Sequence, residues 1–121
     1  MATIDKNDPP RPSEVDAFLE DIDFNLPSGF IEFFSAANGA EIVGADRYIV
    51  LWPLTDMIML NSEYNVSLYA PGFFIFGSDG GDMAFAIKKE SGYIYEMPFI
   101  GMGEEESFLI SESFNEFISK Y

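Results

Sequence analysis

Phe73, Phe74, Ile75 and Phe76 form a run that is apolar at every position. A strand with one wet face alternates apolar and polar residues. An unbroken run this short therefore reads as a strand covered on both faces. A second strand is expected over 83–87, where large residues (Met83, Phe85, Ile87) alternate with small ones (Ala84, Ala86). Ser78-Asp79-Gly80-Gly81-Asp82 joins the two as a tight connection whose glycines can take positive φ. A third strand over 93–97 follows Glu90-Ser91-Gly92, with Gly92 free to adopt a positive φ. Upstream, 41–43 and 48–52 are β-branched and aromatic, and the residues between them suit a hairpin with a four-residue turn. Pro53 ends that second strand.

Four segments carry a helical period. Ser13 is a plausible N-cap, with Glu14 and Asp16 in the first turn, where the helix dipole favours acids. Val15, Phe18, Leu19 and Ile22 make one stripe, and the acids Glu20, Asp21 and Asp23 at the unfavourable end predict a stop near Ile22. A second helix is expected from Leu26-Pro27, carrying Phe30, Phe33, Phe34 and Ala37 and stopped by Asn38-Gly39. A third is expected over 55–64, with Leu54, Met57 and Ile58 inward and Asn61 interrupting the stripe. The last has Ser113 and Glu116 at capping-box spacing, Ser111 as an alternative cap, and a stripe of Phe114, Phe117, Ile118 and Tyr121.

Pro9, Pro10 and Pro12 prevent a regular helix near the start, so 1–12 reads as a flexible arm and 13–121 as a single domain. The order is α-α-β-β-α-β-β-β-α. It predicts an α+β domain: a mainly antiparallel twisted sheet of about five strands with helices packed against it.

Charge limits function. Six Lys and Arg stand against 21 Asp and Glu, a net charge of −15. Nucleic acid requires clustered cations, and an anionic membrane would repel this chain, so neither partner is expected. The chain has no Cys and no His. Disulfides and Ser–His or Cys–His nucleophiles are excluded, and zinc is seldom held by Asp and Glu alone. Acid pairs could run glycoside hydrolysis, but pairs arise without function among so many acids, and no enzyme activity, metal or cofactor is expected. No basic patch leads into an apolar run, and no apolar stretch approaches the roughly 18 residues of a membrane span, so a cytoplasmic location is expected.

Several features could serve a partner. Asp79 and Asp82 sit in the glycine-rich connection, which reads as a strand turn rather than a calcium loop because strands flank it. Glu104, Glu105 and Glu106 form an acidic run that, with Glu112, suits electrostatic contact with a basic protein. These six are the candidate partner-binding residues. Trp52, the only Trp, reads as core, with a binding anchor as the alternative.

Taken together, residues 26–34 running into Asn38-Gly39, then 48–52, the helix with Asn61 and Tyr64, residues 76–82 and residues 113–118 resemble the SUKH superfamily. That group includes the fungal cell-wall assembly regulators and the bacterial Syd protein. The resemblance spans about 13–121 and is closest to stand-alone bacterial members. It implies a sheet with packed helices and no catalytic residues. It also implies an immunity protein that binds and neutralises a cognate polymorphic toxin of nuclease or deaminase type. The alternative is a regulatory module without a toxin partner. A monomer or weak homodimer is expected.

Overall fold

The computed structural model describes residues 3–120. Seven antiparallel strands follow one another across one sheet in chain order: β1 (Thr3–Lys6), β2 (Ala40–Val43), β3 (Tyr48–Leu51), β4 (Phe73–Ser78), β5 (Met83–Lys88), β6 (Ile94–Pro98) and β7 (Phe108–Ser111). The helices are α1 (Pro12–Asp21), α2 (Phe30–Ala36), α3 (Leu54–Glu63), α4 (Val66–Tyr69) and α5 (Phe114–Ser119). The α+β class and the antiparallel sheet are as expected. Among the described residues the strand count is seven rather than about five.

The two extra strands are the sheet's edges. Within the expected arm, Thr3–Lys6 pairs with β2, placing Ile4 opposite Ile42 and Lys6 opposite Ala40. The prolines that bar a helix begin only at Pro9, so the residues before them are free to extend. Asn7 then secures the exit: its backbone N–H donates to Gly39 O and its side chain to Asn38 O. Met1 and Ala2 of that arm lie outside the described residues, as does Tyr121 of the expected last stripe. At the other edge, Phe108–Ser111 pairs with β6, with Ile110 as a bulge between Leu109 and Ser111.

One face of the sheet carries the larger core. Phe18 of α1, Phe30 and Phe34 of α2, Leu54 and Met57 of α3, and Phe114 and Phe117 of α5 meet Ile42, Leu51, Phe74, Phe76, Phe85 and Ile87. Their rings interlock, with Phe30 centred 4.6 Å from Phe34 and 5.2 Å from Phe114. The other face has a thinner cover: Val66 and Ala70 around α4, with Met97 and Met102, over Phe73, Ile75, Ala84 and Ala86. This explains the alternation in β5. Phe85 and Ile87 reach the deep helix layer, and Ala84 and Ala86 fit beneath the thin one.

Helix boundaries moved for local reasons. Pro12 takes the first position of α1, one residue before the expected cap, and the Glu14 carboxylate accepts the Arg11 backbone N–H at 2.8 Å. The second helix begins at Phe30 rather than Leu26-Pro27, because Gly29 adopts a left-handed φ of 88° that interrupts the helical path. The last helix begins as expected, with Ser113 Oγ accepting the Glu116 N–H at 3.0 Å. Helix α4 was not anticipated.

Asn61 connects α3 to the sheet. Strand β3 stops at Leu51, and Pro53 has no N–H with which to continue the ladder. The Asn61 amide takes over at the flank of β4. Its Nδ2 donates to Ile75 O at 2.8 Å and to Met57 O at 2.8 Å, and its Oδ1 accepts the Ile75 N–H at 2.9 Å. The residue that breaks the apolar stripe thus pairs with buried backbone, as such groups must.

Candidate functional site

A groove of about 580 Å³ opens on the thinly covered face, at the end of the sheet where β4 turns into β5. Trp52 reaches it from the end of β3 and Tyr64 from the C-terminus of α3. Pro98, Phe99 and Ile100 enter from the end of β6, and Ser78 with 80–82 contributes the turn. Three rings form its wall. Trp52 and Tyr64 stack at 6.2 Å and 12°, and Tyr64 and Phe99 lie 4.7 Å apart. Ile100 stands 93% exposed beside them. The Phe99 N–H donates to Asp82 O at 2.9 Å, joining the wall to the turn.

The glycines of this turn have steric reasons. A Cβ on Gly77 would overlap the Val50 carbonyl oxygen, where the strand bulges between Ile75 and Gly77. Gly80 has a φ of 83°, and a Cβ there would lie 2.6 Å from Tyr48 Cε2. The Tyr48 hydroxyl is held above its usual pKa, first by burial and then by the neighbouring Glu41 carboxylate.

The six candidate acids separate into different settings. Asp79 belongs to the turn itself: its Oδ1 accepts the N–H groups of Gly81 at 2.9 Å and Met83 at 3.2 Å. Asp82 lines the groove with an exposed side chain. Glu104–Glu106 forms a 3₁₀ turn before β7, with Glu104 3.8 Å from Lys88 Nζ. Lys88 ends β5 at the far end of the strand from Asp82, and none of the three glutamates lines the groove. Glu112 borders a separate cleft with Lys89, Glu90 and Asn115. The fold therefore brings Asp82 alone of the six to the groove.

Sequence reasoning noted Trp52 as an alternative anchor but missed Tyr64 and Phe99. The helical spacing places Tyr64 at the end of a helix, and Phe99 lies just past an expected strand. Neither sits in a pattern that marks it. Trp52 does both jobs: it packs partly buried against both cores and lines the groove.

Among the described residues, no group of three or more acidic side chains is arranged to hold a metal ion. None of their helices is long and apolar enough to cross a membrane. No curated protein matches the chain. The model of the SMI1 / KNR4 family (SUKH-1) matches residues 9–120, which takes in every helix and all strands but β1. On that match the chain belongs to the SMI1 / KNR4 family, SUKH-1.

Proposed function

We propose that this chain is a non-enzymatic protein-binding domain, an immunity protein that binds and neutralises a basic toxin through the aromatic groove. The observation that carries this reading is the wall of Trp52, Tyr64 and Phe99 beside the Asp82 carboxylate. Aromatic faces attract cations, and Trp and Tyr dominate binding hot spots. An Arg or Lys of the partner fits between such a wall and a carboxylate. Family membership supports the coarser role, and the charge of −15 adds steering. A nuclease or deaminase toxin that holds nucleic acid carries a positive surface, and opposite charge speeds encounter well above neutral rates. The stoichiometry expected is 1:1 with a monomeric chain.

The test is co-expression with the protein encoded beside it in its own genome. Growth arrest by that protein, relieved by this chain and not by its Trp52→Ala, Asp82→Lys double variant, supports the reading. Arrest that this chain leaves unrelieved, or relief that the double variant matches, sinks it. The second reading, a regulatory interaction module of the cell-wall assembly regulator type, rests on the same family match. It gains if the neighbouring protein causes no arrest.

A further inference from the structure

We propose that the free edge of β7 is a second docking site, which takes an extended basic segment of a partner protein as an added strand. Among the described residues strand β7 ends the sheet, so one side of its backbone has no neighbouring strand there. Phe108 is 64% exposed and Leu109 51%. Successive residues of a strand point to opposite faces, so both faces of this edge carry an uncovered apolar side chain. The bulge at Ile110 directs that third side chain against the helix-side core. The opposite edge differs: β1 carries Asp5 and Lys6, charges of the kind that deter strand addition. Nothing charged lies within β7, whose sequence is Phe-Leu-Ile-Ser.

The charges sit at its two ends. Glu104 anchors the preceding turn to Lys88, leaving exposed Glu105 and Glu106 on one side and exposed Glu112 on the other. Glu106 and Glu112 are six residues apart, or about 20 Å along an extended chain. That exceeds the Debye length of about 8–10 Å, so the two ends act as separate contacts. They also select the occupant. A second copy added antiparallel would bring Glu105 and Glu106 against its Glu112, and added parallel would bring like ends together. Both arrangements repel. An apolar segment with Lys or Arg at its ends is attracted at both. Backbone hydrogen bonds would supply the affinity and the acidic ends the orientation. This site does not depend on the groove, whose lining includes no residue of β7.

The test uses the full chain and a synthetic peptide of four alternating Val-Thr pairs with two lysines at each end, compared with the same peptide bearing glutamates. Amide hydrogen exchange is followed by NMR. The expected result is slowed exchange within 108–111 and the 104–106 turn with the lysine peptide only. Glu105→Lys with Glu106→Lys should weaken that peptide about tenfold, two exposed ion pairs being worth roughly that much. These surface variants keep the fold, and a circular dichroism melt checks it. Protection confined to the groove residues, or no protection at all, overturns the proposal. So does a dimer in sedimentation that Phe108→Lys dissociates, because the edge would then belong to a second copy.

Discussion

Replacing Asn61 with alanine should cost about 2–4 kcal/mol. The side chain makes three hydrogen bonds, two of them to the N–H and C=O of Ile75, a fully buried residue. A typical bond contributes a net of about 0.5–1.5 kcal/mol, and each buried group left unpaired costs about 1–3 kcal/mol. Water entering the vacated space recovers part of this, which sets the upper bound. In a chain of this size the loss is a fall in melting temperature of about 10 °C. Urea titration should show a lower midpoint at constant slope.

The isosteric change Asn61→Asp tests the reasoning more sharply. It keeps the acceptor for the Ile75 N–H but turns a second oxygen toward two carbonyls. Ionised, that oxygen is repelled; protonated, it can donate to one of them. The folded-state pKa of the new acid should therefore lie above its unfolded value. The folded chain then binds more protons than the unfolded one. The variant's stability is greatest below the unfolded pKa and falls as pH rises through the folded one. The deficit against wild type should shrink between pH 7 and pH 5. A loss under about 0.5 kcal/mol for Asn61→Ala, or a pH-independent deficit for Asn61→Asp, would refute this account of how α3 is held.

Three further outcomes follow from the geometry. Gly80→Ala should destabilise by about 1–3 kcal/mol, from positive φ and the Tyr48 ring, whereas Gly81→Ala should stay within about 0.5 kcal/mol; thermal melts compare them. Ser113→Ala removes the N-cap of α5 and should cost about 1 kcal/mol in denaturant unfolding. The Glu14 carboxyl is lowered chiefly by the Arg11 backbone N–H, so its contribution is present above the unfolded pKa and fades as pH falls through the folded one; an NMR titration should place its midpoint below that of an exposed glutamate, and Glu14→Gln should flatten the acid limb of the stability profile.

The central half of the sheet is legible because its chemistry is extreme. Phe73–Ser78 is buried at its first five positions, and the alternation that runs from Met83 to Ile87 matches a sheet with unequal covers. The stripe of Phe30, Phe33, Phe34 and Ala37 and the Ser113 cap also read directly, since each is a local rule satisfied locally. The edges do not read. Thr3–Lys6 is exposed throughout, so its sequence carries no apolar alternation, and its pairing depends on β2 some 37 residues later. Phe108–Ser111 follows three glutamates and offers only three apolar residues with no alternation between them. The groove was hidden for a different reason. Its ring wall draws on Trp52, Tyr64 and Phe99, which only the packing of α3 beside β4 brings together. One signal was present: Asn61 breaking an apolar stripe marked the place where that helix meets open backbone.

Trp52, the single Trp, allows the groove to be watched directly. The deciding measurement is its fluorescence during titration with the basic toxin that the proposed function requires. Saturation at 1:1 is predicted, with a change in Trp52 emission and an affinity that Asp82→Lys weakens by about tenfold or more, the loss of one close charge pair and its reversal. A 1:1 complex that leaves Trp52 emission unchanged and tolerates Asp82→Lys would place the contact elsewhere and contradict the account.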